Sequence, residues 1–599
     1  MKPRTINDIF FAIVERGQGR VMLVRAANHW VPISANEFYR NVAGLARALR
    51  QWGLAKGDRL AILSENRPEW AVADFASLLL GVVVVPIYTT LTARQTAYIL
   101  RDSGARVVAV STEKQLEKVL SIKDQTAVEQ VIVMDPVPTA DAVHMGRLME
   151  AGPAERDPEL DALAHTIAGG DLASIIYTSG TTGESKGVQL THSNLTSNIQ
   201  CSLDGFHVGP GQISISFLPL SHVTARHADF ALLYRGVTLA YCPFIEQLPQ
   251  VLLEVQPAIF VAVPRVYEKI YTQVEQKTKT FPKRTIYRWA LSVGQAHRPE
   301  ILAGKKPASL SWKLANKLVY SQVRSRMGGK AEIFVSGGAP LGKELAEWYA
   351  NIGIRIHEGY GLTETSPVIA LNTPGAHKIG TVGRPLPNVE VQIANDWEIL
   401  VRGPSVFDAY WNRPEETKNA FEDGWFKTGD IGKLDEDGFL VVTDRKKDLL
   451  KTSGGKFIAP QPIENSLNLH TLIGTSVVLG DRRKFASVII SPHFPALEDW
   501  ARANHIPFSS RQELVANARV KELYDSIVIE VNRGLARYET LKKVLLVAEE
   551  FSADNGTLTP TMKLRRKVVE ERYHKRISEL YEEAEVPAVE NKKAFRQSA

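Results

Sequence analysis

Short apolar runs recur through the first two-thirds of the chain, and stretches with helical spacing of apolar positions lie between them. Residues 59–64 (RLAILS), 81–86 (GVVVVP), 105–111 (ARVVAVS) and 130–135 (QVIVMD) are rich in β-branched residues and read as buried strands. Residues 34–52 and 67–80 carry the wider, helical period. Strands alternating with helices predict layered α/β architecture with largely parallel sheets, buried on both faces. The longest apolar stretch, 75–88 (FASLLLGVVVVPIY), falls short of the ~20 residues of a spanning helix and is interrupted by Gly81 and Pro86. It predicts a buried helix running into a buried strand. Residues 136–170 are turn-rich and predict a surface connection.

Further on the pattern changes. Residues 277–330 look helical, with an interruption near 298–307 that holds Gly304 and two prolines, and read as an excursion from the main sheet. From 389 to 444, short strands and glycine turns (VEVQIA, EILVRG, GFLVVTD) predict a small β-rich subdomain. A Lys-rich junction follows Arg445, then a compact α/β tail ending in charged helices. The expected organisation is a large multi-layer N-terminal domain over 1–444, including the excursion at about 277–330 and the β-rich subdomain at about 385–444. A smaller α/β domain over 445–599 follows it.

Length agrees, since 599 residues exceed one ordinary domain. A composition of 44% hydrophobic and 23% charged residues excludes a wholly disordered chain. Two cysteines exclude a disulfide scaffold and a four-thiolate zinc site, and suit a reducing cytosol. The N-terminus, MKPRTINDIFFAIVERG, lacks the apolar core of a signal peptide. Charge is uneven. Residues 277–330 hold thirteen Lys/Arg against Glu300 alone, a net +12, so the rest of the chain is −6 within a total of +6. That excludes a general nucleic-acid coat and predicts one local basic patch.

The strongest chemical signal is YTSGTTGESKGV at 177–188, after an apolar run that makes a strand. Gly180, Gly183 and Gly187 allow tight turns, while Thr178, Ser179, Thr181, Thr182 and Lys186 supply hydroxyls and a cation. Such a loop can surround a polyphosphate with N–H and O–H donors. Lys186 is followed by Gly187, so the spacing is not that of a P-loop. Downstream lie SGGAPL (336–341) and EGYGLTET (358–365). In them Gly337 and Gly338 let a flat ligand lie on backbone, Tyr360 offers an aromatic face, and Glu364 is a hard oxygen ligand suited to Mg2+ beside phosphates. Then come GWFKTGD (424–430), DRKKDLLKTSGGK (444–456) and LTPTMKLRRK (558–567). Taken singly, these strings read equally as helix-start turns, capped helices or solvated lysines.

Taken in this fixed order, with FLPLSHVTAR (217–226), VPRVYEKI (263–270) and GTVGRPLP (380–387), the sequence resembles the adenylate-forming superfamily. Acyl-CoA synthetases, luciferases and peptide-synthetase adenylation domains belong to it, and the likeness is strongest to bacterial long-chain fatty acyl-CoA synthetases. The resemblance implies two steps: a carboxylate attacks the α-phosphate of ATP to give acyl-AMP and pyrophosphate, then the thiol of CoA displaces AMP. It implies that Thr178 to Lys186, with Ser179, Gly180, Thr181, Thr182 and Gly183, hold the β- and γ-phosphates. Gly337, Gly338, Ala339 and Pro340, with Glu358, Gly359, Tyr360 and Gly361, border adenine. Thr363 meets the α-phosphate, and Glu364 with Thr178 holds Mg2+. Asp430 and Arg445 take the ribose hydroxyls, and Lys563 reaches carboxylate and α-phosphate as a fixed charge. His222 is assigned to positioning the carboxylate. The C-terminal domain is implied to be mobile, pivoting near Lys447, with Lys451, Gly454 and Gly455 on the cofactor side of the junction, where Ser453, Gly454 and Gly455 present backbone to the pantetheine arm.

Some fatty-acid members carry an aromatic gate shortly after that histidine; here Arg226 and His227 stand there, leaving the gate open as a question. The expected enzyme is a long-chain fatty acid–CoA ligase using ATP, Mg2+ and CoA. Standing beside it are a fatty acyl-AMP ligase, a medium-chain or aryl acid ligase and, from another class, a non-catalytic acyl- or nucleotide-binding protein. Cys201 and Cys242 read as packing residues. The +12 segment, with Trp289, Trp312, Tyr287 and Tyr320, fits docking on anionic lipid as readily as a merely solvated face. The expected location is cytoplasmic, peripheral at the inner face of the membrane.

Overall fold

The computed structural model describes residues 2–582 except 28, 179–184, 454–455, 553 and 560–563. By packing, the chain divides into a large unit, Met1–Tyr267 with Thr280–Val442, and a small one, Glu268–Lys279 with Thr443–Ala599.

Three sheets build the large unit. The first has seven strands in the order Val143–His144, Gln130–Val133, Val107–Val110, Arg59–Leu63, Val83–Ile87, Leu172–Thr178 and Lys186–Thr191. All its pairings are parallel except the last. Val83–Ile87 and Val107–Val110 are buried at every position, which is why they read as unbroken apolar runs. The second sheet has nine strands. Its centre, from Met22–Ala26 to Ile356–Gly361, is parallel, and its edges are antiparallel. The helix Pro68–Leu79 is buried at every position but Glu69, so it shows no polar face. Its Phe75 joins Phe10, Phe38 and Phe230 in an aromatic cluster with ring centroids 5.3–5.6 Å apart. The α/β class and the buried helix-to-strand passage at 75–88 thus hold. The third sheet, an antiparallel set including Glu390–Ile393, Glu398–Arg402 and Trp425–Leu434, is the β-rich part.

Two readings need correction. Residues 136–170 are more than a turn-rich connection: they form helices Met145–Glu150 and Pro158–His165, whose Met145, Leu160 and Ala164 are buried. The signal was present, since Asp157 caps the second helix through the N–H groups of Glu159 and Leu160, with Pro158 in the first turn. The basic excursion is a helical hairpin, Lys283–Leu302 followed by a continuous run of Leu310–Ala315, a π turn Asn316–Tyr320 and Ser321–Ser325. Of the four aromatics named for docking, Tyr287, Trp312 and Tyr320 face inward and cannot meet lipid, and Trp289 is exposed. Trp312 and Tyr320 pack together at 4.7 Å, and Trp348 Nε1 donates to Tyr287 Oη at 2.7 Å.

The small unit centres on a three-stranded sheet. Ile473–Leu479 runs antiparallel to Ala486–Pro492, which pairs parallel with Leu541–Leu546. Helices Pro460–Asn468, Phe494–Ala503 and Ala518–Asn532 bury Ile463, Leu467, Phe494, Leu497 and Tyr524 against it. Glu464, inside this core, is held by Arg566 at 2.7 Å. Among the described residues, no helix is long and apolar enough to cross a membrane.

Candidate active site

The strand Leu172–Thr178 leads into the phosphate-loop string, and the chain returns on Lys186–Thr191, with Thr178 directly opposite Lys186. Ser179, Gly180, Thr181, Thr182 and Gly183 lie outside the described residues, so the base of the loop is what the structure places. Tyr98 Oη donates to the Ser185 carbonyl at 3.1 Å, and Tyr177 Oη to Asp102 at 2.6 Å, fixing both arms of that base.

A distant segment then joins. Gln189 N–H donates to the Ala409 carbonyl at 3.2 Å and Trp411 N–H to the Gly187 carbonyl at 2.7 Å, so residues 409–411 lie along the returning strand. This delivers Tyr410, whose hydroxyl donates to Glu364 Oε1 at 2.9 Å. The Lys186 ammonium sits 5.4 Å from the centroid of the Tyr410 ring and 3.3 Å from Glu416 Oε2. Burial and, after it, the Glu364 carboxylate hold the Tyr410 phenol well above its usual range, so it stays a donor. Glu364 is fixed twice, because Phe407 N–H also donates to its carbonyl at 2.8 Å. Thr178, Lys186 and Glu364 are thereby brought to one place by Tyr410, which sequence reasoning missed.

Glu364 lies in the short 3₁₀ turn Thr363–Thr365, and the chain doubles back there. Leu362 N–H donates to the Pro367 carbonyl at 3.1 Å. A Cβ on Gly361 would stand 1.8 Å from that carbonyl, so only glycine fits. Thr363 is buried, and Ser366 closes the turn at φ 65°.

Glu358 and Tyr360 share one side of the strand Ile356–Gly361 but do different work. The Glu358 carboxylate is buried and accepts from Leu341 N–H at 3.2 Å, anchoring the end of the loop that contains Gly337, Gly338, Ala339 and Pro340. Gly338 turns that loop at φ 84°, and Ala339 and Pro340 are exposed. Tyr360 Oη donates to Asp430 Oδ2 at 2.6 Å, so the aromatic plane and the carboxylate are locked together. Asp430→Asn is expected to raise the KM for ATP about tenfold while kcat changes less than about threefold, because one charged acceptor is lost from binding. Initial rates of pyrophosphate release at varied ATP check it; a fall confined to kcat would refute it.

Burial pushes the Glu358 carboxyl up to about 7, with the Leu341 N–H acting against it. A raised folded value means the native state binds the extra proton between the usual carboxylate range and 7, so stability is lost as pH rises through that window. Glu358→Gln keeps the acceptor and removes the charge. Its thermal midpoint is expected to match wild type near pH 4 and exceed it at pH 8. An equal offset at both values, measured by scanning calorimetry, would overturn this.

His222 caps the helix Val223–Tyr234, its Nδ1 accepting from Thr224 N–H at 3.2 Å, so the side chain has a structural duty at the helix start. Arg226 is held in the core by a buried ion pair. Its guanidinium is 3% exposed, pairs with both Asp74 oxygens at 2.8 and 2.5 Å and donates to Ser174 at 2.7 Å. His227 is buried beside it, meets Ser202 at 3.0 Å and is kept neutral by burial, which lowers it to about 4. Cys242 is buried with its thiol on the Phe244 carbonyl, and Cys201 is half-buried against the core.

In the small unit, Arg445 N–H donates to the buried Asp444 at 2.7 Å, whose other oxygen accepts from Gln461 N–H. Lys447 and Lys451 are exposed, and the Lys451 ammonium stands 5.4 Å from the Phe457 ring centroid. Gly454, Gly455 and Lys563 lie outside the described residues.

The magnesium that the resemblance implies can be weighed against this donor set. Among the described residues, no three His, Cys, Asp or Glu gather into a cage. One carboxylate with one hydroxyl suits a hard ion that takes its other ligands from phosphates and water, so the residues fit.

Residues 10–411 match the family of AMP-binding enzymes, and residues 447–585 match the AMP-binding enzyme C-terminal domain. The chain belongs to the AMP-binding enzyme family. Its relatives include long-chain-fatty-acid–CoA ligase FadD15 of Mycobacterium tuberculosis (strain ATCC 25618 / H37Rv), 38% identical over 560 residues, 92% of each chain. Long-chain-fatty-acid–CoA ligase ACSBG1 of Homo sapiens is 31% identical over 624 residues, 97% of this chain and 86% of that one. Among solved structures, the anthranilate CoA ligase AuaEII in complex with anthranoyl-AMP superposes with a TM-score of 0.74 at 19% identity, covering 96% of this AMP-binding enzyme and 98% of that chain. The MatB structure from Rhodopseudomonas palustris with ATP bound gives 0.68 at 23% identity, over 95% and 99%. These two likenesses are of fold.

Proposed function

We propose that this AMP-binding enzyme is an ATP-dependent long-chain-fatty-acid–CoA ligase. The observation that carries the site is Tyr410, which holds Glu364 by a hydrogen bond and Lys186 by its ring face at the mouth of the phosphate loop. The relatives that span nearly the whole chain support the acyl substrate and the thiol acceptor.

In the first step, a carboxylate oxygen attacks the α-phosphorus, the bond to the bridging oxygen breaks, and pyrophosphate leaves. Two anions must meet, so cations and N–H or O–H donors fixed beforehand lower the barrier. Lys186 offsets charge on the outer phosphates, and Thr363 donates toward the α-phosphate. Tyr360 and Asp430 hold the nucleoside so that the α-phosphorus faces the acid. Magnesium, held by Glu364 and Thr178, would neutralise charge on the triphosphate. In the second step, the CoA sulfur attacks the acyl carbonyl, AMP leaves, and the thiol proton passes to solvent. Lys563 serves only the first step, and the segment pivots near Lys447 between the two, presenting residues 453–455 to the pantetheine arm.

The test is a panel of acids, from acetate through long-chain fatty acids to aryl acids, scored separately for pyrophosphate, AMP and CoA thioester. Long-chain acids are expected to give all three. Pyrophosphate without thioester would point to a carrier-protein acceptor. No pyrophosphate with any acid would sink the proposal.

A further inference from the structure

The outward face of the basic hairpin is apolar where a solvated helix should be polar. Leu310, Leu314 and Leu318 are 83%, 50% and 41% exposed. They stand four residues apart, one above the other along the continuous helical run. The opposite face carries Trp312, Ala315, Val319 and Val323, all buried, so the run has spent its core-facing side and still presents a second apolar stripe. The preceding helix lies antiparallel to it: His297 Nε2 meets Ser309 at 2.8 Å, and Tyr320 Oη donates to the Ala290 carbonyl at 2.5 Å. Exposed Ile286 and Trp289 therefore lie on the turn next to the Leu318 end.

Bases frame this stripe. Lys305, Lys306, Lys313, Lys317 and Arg326 are exposed. Arg298 and Arg324 are turned inward to Glu347 and to the Ile352 carbonyl. We propose that the hairpin 283–325 docks on an anionic lipid bilayer, with Leu310, Leu314 and Leu318 in the acyl boundary and Lys305, Lys306, Lys313 and Lys317 among the headgroups. The charge selects that occupant. A second copy would bring the same positive segment face to face, which repels. Nucleic acid would use the lysines and leave the leucines in water. A sixteen-residue run is about 24 Å long, too short to span and suited to lying in the plane of the interface. This surface does not depend on the ligase reading.

Full-length protein sedimented with vesicles of phosphatidylcholine, with and without about 30 mol% phosphatidylglycerol, tests it. Binding is expected only with the anionic lipid and to fall with salt. Leu310→Ser, Leu314→Ser and Leu318→Ser combined should cut it about tenfold or more, as should Lys305→Glu, Lys306→Glu, Lys313→Glu and Lys317→Glu combined. Both variants should keep the wild-type thermal midpoint and the wild-type rate on a short, fully soluble acid. Wild-type vesicle binding by the leucine variant would overturn the proposal. So would a wild-type dimer in sedimentation velocity that the leucine variant dissolves while lipid binding stays unchanged, since the occupant would then be a second copy.

Discussion

Glu364→Gln is expected to slow acyl-AMP formation by about a hundredfold to a thousandfold, the range seen when one fixed charge-stabilising group is removed. The substitution keeps the size of the side chain and its acceptor for Tyr410, so the turn Thr363–Thr365 should hold its shape. What disappears is the negative charge on a carboxylate whose Oε1 is pinned by Tyr410 and whose backbone is pinned by Phe407. A charge held this firmly can bind a divalent ion without reorganising when the triphosphate arrives. The loss should therefore shrink as Mg2+ is raised, and the Mg2+ concentration for half-maximal rate should climb. Tyr410→Phe leaves the charge but loosens it, and a loss nearer tenfold is expected, with the same shift in Mg2+ dependence. Single-turnover acyl-AMP formation across a Mg2+ titration reads both. A Glu364→Gln enzyme within tenfold of wild type at every Mg2+ concentration would remove Glu364 from its assigned role.

The two variants also show where sequence reading stops. The strands at 59–64 and 130–135 were legible because β-branched runs between helical periods leave few alternatives. Glu364 and Lys186 stood out because hard ligands and cations beside glycines and threonines suggest phosphates. Tyr410 and Glu416 carried no such mark. Tyr410 reaches the site only because residues 409–411 pair along Lys186–Thr191, a contact between segments more than two hundred residues apart. Direction was equally hidden. In the basic excursion, helical spacing placed Trp312 and Leu314 on different faces but could not say which face the core would take. Packing with Trp348 and between the two helices turns Tyr287, Trp312 and Tyr320 inward, while Trp289 stays exposed. At Glu358 the same ambiguity arises in a strand: the motif marks it as bordering a ligand, while its carboxylate is occupied by Leu341 N–H.

Lys563→Ala is expected to divide the two half-reactions. The first step brings a carboxylate against a triphosphate, so a lone ammonium placed between them stabilises charge that exists only as the new bond forms, and its loss should cost about a hundredfold to a thousandfold in pyrophosphate release. The second step starts from an acyl-AMP whose carboxyl charge is already gone. An ammonium there has little to neutralise, so thioester formation from supplied acyl-AMP should stay within about threefold of wild type. Lys563→Arg is not a neutral control, because a planar fork does not replace a compact point charge on a flexible stem. Residues 453–455 and Lys563 both follow Lys447 in the sequence, so the proposed pivot there would carry both without altering either. Rapid-quench assays of each half-reaction on one preparation give the ratio. Equal losses in both steps would mean that Lys563 supports the fold or the nucleotide generally, and the division of labour between the steps would have to be sought in another residue.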